Sequence, residues 1–239
     1  MKKNTIYFIL FALSLNFSFG QNLKDKNILV VWGGWEGHKP ELFVKHIEKW
    51  LIFEEANYKI HNGIEAYNSY EELIKYDLII QSITMSKISK EQENNLLKAI
   101  KNGVGIGGAH GGLTDSFRES TNYQFMVGGQ WVDHPGGEVN FKVKMLKDEL
   151  TKGLNDFEIK TEQYYMHYDP NIKVIANTKF NDKYYPWIDG VVMPVAWKKE
   201  YGNGKVFYVS IGHDPDEFID EENAWKLLTR GLKLSLIHI

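Results

Sequence analysis

Gly103-Val104-Gly105-Ile106-Gly107-Gly108-Ala109-His110-Gly111-Gly112 is the stretch whose reading decides the fold. It opens as a short apolar strand and closes as a turn in which one bulky side chain, His110, is left standing. Six glycines in ten residues cost backbone entropy, so the chain here needs positive φ or close backbone approach. Gly108-x-His110-x-Gly112 has the spacing of an elbow in which a strand turns sharply into a helix and presents its central residue. In acyl-transfer enzymes that residue is Ser or Cys. Histidine is instead a general acid/base or a metal ligand, and only rarely a nucleophile. The plainer alternative is a tight turn with an incidental histidine, and spacing alone does not separate the two.

Outward from this stretch, Asn27-Ile28-Leu29-Val30-Val31-Trp32 is a continuous apolar run, as in a strand covered on both faces. It ends in the loop Gly33–His38. Pro40 then suits the first turn of a helix on which Phe43, Val44, Ile47, Trp50 and Leu51 share a stripe, with His46 beside it as a structural residue. Tyr58–His61 and Asp77–Gln81 read as the next strands, and Ser89 with Gln92 forms a capping box for a helix ending at Gly103. This alternation predicts right-handed βαβ units and a largely parallel sheet. Ligands of such sheets lie beyond the carboxyl ends of the strands, where Gly33–His38 and Gly108–Gly112 both fall.

After Asp115 the pattern changes. Tyr123–Met126 ends a short helix, and Val127–Gly137 reads as loop. Glu138–Met145, Phe157–Thr161 and Ile172–Ala176 read as strands. Val192–Trp197 and Lys205–Ser210 form a hairpin that runs into Gly212-His213-Asp214, and a helix over Glu221–Leu232 closes the chain. No repeat or linker interrupts it, so one domain with an extended middle is expected within the 239 residues.

The ends read differently. Met1-Lys2-Lys3, the apolar run Ile6–Phe19 and the small residues before Gln21 have the form of a secretory signal peptide over residues 1–20, too short and too polar for an anchor. Export to a bacterial periplasm or the medium follows, with no membrane attachment after cleavage. Loss of Lys2 and Lys3 takes the net charge from −3 to −5, and no basic run suggests nucleic acid. The absence of cysteine excludes disulfides, thiol nucleophiles and thiolate metal sites. Leu234-Ser235-Leu236-Ile237-His238-Ile239 reads as a non-native tail, so His238 enters no site.

His110 in its glycines, Val127-Gly128-Gly129, His134-Pro135, Glu162-x-Tyr164, Pro194-Val195-Ala196-Trp197, Gly204-Lys205-Val206-Phe207-Tyr208 and Gly212-His213-Asp214 follow one another in an order that resembles the ThuA-like (trehalose utilisation) family. The resemblance covers about residues 27–233. It implies a flavodoxin-like three-layer α/β/α sandwich with a mostly parallel sheet, a variant of the class I glutamine amidotransferase fold. There a Cys sits at the elbow of a Cys-His-Glu triad. By position His110 takes the place of the thiol and His213 that of the late histidine, so glutamine amidotransfer through a thioester is excluded.

The resemblance and the residues together imply an exported carbohydrate-processing protein, a hydrolase or lyase acting on a disaccharide, a glycoside or its keto derivative. His110, His213, Glu162 and Asp214 are the catalytic candidates, with a histidine as base, Glu162 as acid and Asp214 orienting His213. Trp35, His38, Trp131, His134 and Tyr164 are the substrate-binding candidates, flat aromatic faces against sugar C–H surfaces and polar groups for hydroxyls. Trp32 and Trp197 read equally well as core. His38, His110, His134 and His213 also form a candidate ligand set for a divalent metal such as zinc, which the sequence allows without requiring. The alternative is a non-catalytic sugar-binding or scaffold module. A small carbohydrate is the expected partner, and self-association is left open.

Overall fold

The structure, a computed structural model, describes residues 23–236. The expected signal peptide and the last three residues, with His238, lie outside them. The first half of the chain alternates as expected: β1 (Asn27–Gly34), α1 (Pro40–Phe53), β2 (Asn57–Asn62), α2 (Tyr70–Leu73), β3 (Leu78–Thr84), α3 (Lys90–Lys101) and β4 (Gly105–Ala109). Then follow α4 (Gly111–Thr114), α5 (Thr121–Val127), β5 (Gly129–Asp133), β6 (Glu138–Met145), β7 (Phe157–Glu162), β8 (Tyr165–Tyr168) and β9 (Lys173–Lys179). The hairpin β10 (Val192–Tyr201) and β11 (Gly204–Val209) leads into α6 (Glu217–Asp220) and α7 (Glu222–Ser235).

Nine strands form one sheet in the order β2-β1-β3-β4-β11-β10-β9-β6-β7. The pairs from β2 to β11 are parallel, and the pairs beyond are antiparallel, so only β10 and β6 run against the rest. The first four strands have the flavodoxin-like order 2-1-3-4, with β11 in the fifth place. Alternation along β1 explains the three layers. Ile28 and Val30 pack with Phe43, Val44 and Ile47 of α1 and with Leu227 and Leu228 of α7. Leu29 and Val31 pack in a second core with Leu96 and Ile100 of α3 and Met126 of α5. Each such buried side chain contributes about 1.5–3 kcal/mol, so the helices are held by packing more than by propensity. At Gly105 helix α7 lies so close to β4 that a Cβ would stand 2.1 Å from the Ser235 carbonyl oxygen.

Val127–Gly137, expected as loop, contains β5, which pairs with β8 as a separate two-stranded sheet. The strand is short and its register shifts between Trp131 and Asp133, which erases the alternation that would have announced it. The larger consequence concerns β7. Four strand spacings separate it from β11, roughly 19 Å in a flat sheet. Yet the backbone N–H of His213, just past β11, contacts Thr161 Oγ1 of β7 at 3.4 Å. The antiparallel part therefore curls back over the carboxyl edge of the parallel part. The curl begins where β6 leaves β9, since these two pair only through Lys144 and Met145.

Candidate functional site

Three loops at the carboxyl edge, after β1, β4 and β11, and the end of β7 each deliver one side chain. A 3-10 turn at Glu36–His38 follows β1 and places His38 beside the end of β3, where its Nδ1 lies 3.1 Å from Thr84 Oγ1. After β4, His110 stands at φ 51° and ψ −143°, at the start of α4. Positive φ on a residue with a branched ring costs about 1–3 kcal/mol and persists only where its surroundings enforce it. Here they do: the His110 N–H donates to the Val209 carbonyl at 2.7 Å. Gly111 is needed next, because a Cβ there would lie 2.5 Å from the His38 ring. His213 follows β11, and Glu162 is the last residue of β7, brought in by the curl.

The four side chains converge. One ligand atom from each of His38, His110, His213 and Glu162 lies within 4.8 Å of all the others. Glu162 Oε2 is 3.0 Å from His110 Nε2, 3.3 Å from His213 Nδ1 and 3.8 Å from His38 Nε2. His134 Nε2 approaches the other oxygen, Oε1, at 3.6 Å. Burial opposes ionisation of Glu162, but its contacts with His110 and His213 outweigh it and hold the carboxyl far below the ordinary carboxylate range. Burial, aided by His110, pushes His38 down to about 3. Burial also lowers His110, against the pull of Glu162 and the Ser210 carbonyl. His213 moves the other way, raised by Glu162 against a smaller effect of burial.

One feature of His110 is decisive. Its Nδ1 is 2.7 Å from the Ser210 carbonyl oxygen, which only accepts, so Nδ1 carries a proton and donates. In the neutral ring, which burial favours, Nε2 then has only a lone pair to turn toward the Glu162 carboxylate 3.0 Å away. Two lone pairs at that distance require a positive charge between them, either a proton or a metal ion. A tetrahedral ion with bonds of about 2.0–2.1 Å spaces its ligand atoms roughly 3.3 Å apart, within the range of the distances from Glu162 Oε2. The set is three imidazoles and one carboxylate, a donor set for a borderline cation such as zinc. Two of the imidazoles have the other nitrogen engaged by the protein, as ligating histidines usually do.

Of the other expected residues, Asp214 is not in this group. Its carboxylate is turned to Lys39 Nζ at 2.5 Å and accepts from the Asp216 N–H, so it shapes the loop and does not orient the His213 ring. The contacts of Glu162 with His110 and His213 favour its ionised form, which weighs against the part of general acid. Tyr164 is buried, and its ring backs His110 with centroids 4.1 Å apart, which makes it a wall. Trp35 is half exposed and meets the His38 ring edge-on at 4.8 Å. Trp131 lies beside His134 under the Arg118 guanidinium, with its Nε1 buried and unpartnered. Trp197 is core, donating to the Val127 carbonyl. His46 pairs with Asp216 at 2.7 Å, away from the centre.

The sequence reading passed over Thr84, the Ser210 carbonyl, Glu138 and Glu217. Glu138 Oε1 is 3.8 Å from His213 Nε2, and Glu138 stands directly across the ladder from Glu162. Glu217 accepts from the N–H groups of Gly212 and Asp214 and pins the His213 loop. Thr84 and Ser210 could have been found from the carboxyl-edge rule, since each sits at the end of a parallel strand.

Fold and site together define an α/β sandwich of flavodoxin-like type in which a histidine occupies the elbow. The family described as Trehalose utilisation, ThuA, matches residues 27–234, and the chain belongs to it. A ThuA-like protein from Bacteroides uniformis ATCC 8492 superposes with a TM-score of 0.71 at 19% identity, covering 90% of this chain and 92% of that one. One from Parabacteroides merdae ATCC 43184 gives 0.72 at 15% identity, covering 89% and 90%. Gan42B, a GH42 β-galactosidase from G. stearothermophilus, gives 0.53 at 14% identity over 84% of this chain and 30% of that one, a likeness of fold. No curated protein matches the chain by sequence.

Proposed function

We propose that this protein is an exported carbohydrate-processing enzyme whose centre is a divalent-metal site, acting on a disaccharide, a glycoside or its keto derivative. The family described as Trehalose utilisation supports the substrate class. The observation that carries the chemistry is the meeting of His110 Nε2 and Glu162 Oε2 at 3.0 Å while His110 Nδ1 is already donated to Ser210. His38, His110, His213 and Glu162 would hold the ion. When bound, it would supply a Lewis acid that polarises a sugar oxygen or a water.

The remaining work falls to the chain's own groups. Ser210 and Thr84 fix the rings of His110 and His38, so neither has to reorient when substrate arrives. Glu162 stays ionised and supplies the only negative charge in the ligand set. Proton transfer passes to His134, which lies 3.6 Å from Glu162 Oε1, keeps a third of its side chain exposed and has its Nδ1 without a partner. Trp35 and Trp131 form the aromatic sides of the approach.

The test is metal analysis of the purified protein, with turnover of trehalose and 3-keto-trehalose before and after chelation. Stoichiometric metal, and turnover lost with chelator and in His110→Ala and Glu162→Gln, is the expected result. Turnover without metal that His110→Ala abolishes would replace the metal reading by plain acid/base work. Neither metal nor turnover, with sugar affinity dependent on Trp35 and Trp131, would refute the enzyme and leave a binding module.

A further inference from the structure

The curl that delivers Glu162 leaves a wedge in the sheet. Strands β6 and β9 pair only through Lys144 and Met145, and beyond them Glu138–Lys142 and the residues after β9, among them Asn181 and Lys183, line a common opening. Among the described residues no strand pairs with this edge of Glu138–Val143, so alternate backbone N–H and C=O groups of β6 face the opening. The opening is a cleft of about 420 Å³ whose polar lining includes Glu138, Asn140, Lys142, Gln163, Asn181 and Tyr184. That volume is within the usual range for small-molecule sites.

Three observations tie the cleft to the centre. Glu138 belongs to both, lining the cleft while its Oε1 lies 3.8 Å from His213 Nε2. Gln163 follows Glu162 in the chain, and its Nε2 donates across the wedge to Thr178 Oγ1 of β9 at 2.8 Å. Tyr184 closes the outer side, its ring against Gly136, where a Cβ would come within 2.3 Å of the phenol carbon. Gly136 lies two residues beyond His134. An apolar ligand would desolvate this lining without repayment, whereas a ring bearing several hydroxyls can pair with it.

We infer that the wedge between β6 and β9 is the sugar subsite of this centre, holding one ring of a disaccharide so that Glu138 reads the hydroxyl nearest the metal-ligating side chains. The inference rests on the carbohydrate reading above and deepens it.

Titration of the 15N-labelled protein with trehalose and with 3-keto-trehalose maps the subsite without any substitution, and calorimetry on Asn140→Ala and Tyr184→Phe measures its weight. Amide shifts concentrated in 138–142 and 179–184 are expected, with affinity about fivefold to tenfold weaker in each variant, and unchanged in Lys87→Ala on a different groove. Shifts confined to other surfaces, unaltered affinity in both variants, or no binding of either sugar to the wild-type protein would each overturn it. Metal content reports separately on the centre: a metal-free protein that binds sugar in the wedge keeps the subsite and loses the metal.

Discussion

Replacing His110 by glycine and by alanine separates what its side chain does from what its backbone costs. Both variants lose the imidazole, its bond to the Ser210 carbonyl and its packing on Tyr164. Those losses cancel between the two, leaving the conformation at φ 51°, ψ −143°. Alanine keeps the penalty of that conformation, about 1–3 kcal/mol. Glycine avoids it but gives up about 0.5–1 kcal/mol of extra unfolded-chain entropy. At the middle of these two ranges glycine is expected to be the more stable by about 1 kcal/mol, the reverse of the order at an ordinary strand or helix position. For a domain of this size that is a rise in Tm of roughly 2–4 °C. Urea unfolding in the presence of chelator, which removes any contribution of bound metal, would measure it, provided the two variants share one m-value. Alanine equal to or above glycine would refute the claim that the elbow is strained. Both variants should be inactive, so stability and function would part at a single residue.

Other predictions rest on single contacts. Gly105→Ala drives a Cβ to 2.1 Å from the Ser235 carbonyl oxygen, and loss of about 1–3 kcal/mol is expected by thermal unfolding as the end of α7 is pushed off β4. The side chain of Asp148 is buried; it accepts from Lys198 at 2.8 Å and forms an ion pair with Lys173 at 2.7 Å. Burial opposes its ionisation, but the two lysines prevail and lower its pKa. Its stabilisation is thus complete above the unfolded value of about 3.9 and lost as pH falls through the lower folded value. Asp148→Asn should cost about 1–3 kcal/mol at pH 7, with the gap to wild type closing below about pH 4 in urea titrations. Asp214→Asn should leave turnover within about twofold, because its pair with the exposed Lys39 is screened by solvent and contributes little; a hundredfold loss would restore its orienting role.

The parallel half of the fold was legible because its signals are local. Apolar runs such as Ile28–Val31, the capping box at Ser89 and the glycines around His110 each report on a few neighbouring residues; positive φ was expected of the glycines, and within the elbow it falls on His110 itself. The antiparallel half was legible as strands but not as a shape. Nothing in Phe157–Glu162 indicates that it will fold over the edge, because that follows from where β6 parts from β9. The same gap explains the site. Histidines beside glycines were visible one by one, and their meeting on a single oxygen of Glu162 was not. Asp214 misled through its position next to His213, since adjacent residues on a loop point apart. Glu138 gave no sign at all; it faces Glu162 only through a ladder pairing.

An elbow that offers an imidazole where related folds offer a thiol changes what strain is for. A strained nucleophile is lifted clear of the sheet so that a substrate can reach it. His110 is buried, and its two nitrogens already have neighbours, the Ser210 carbonyl on one side and Glu162 on the other. The strain there serves aim more than access: it fixes the ring so that Nδ1 meets the carbonyl at the end of β11 and Nε2 points at the end of β7. Those strands lie on different arms of the curled sheet. The elbow is thus the joint at which the curl closes, and a charge held between His110 and Glu162 would lock it. On this account metal binding should rigidify β6 and β7 as well as the loops, and hydrogen exchange in Phe157–Glu162 should slow on metal addition. Exchange that slowed in the His38 and His213 loops alone would show that the joint is closed by packing without the ion.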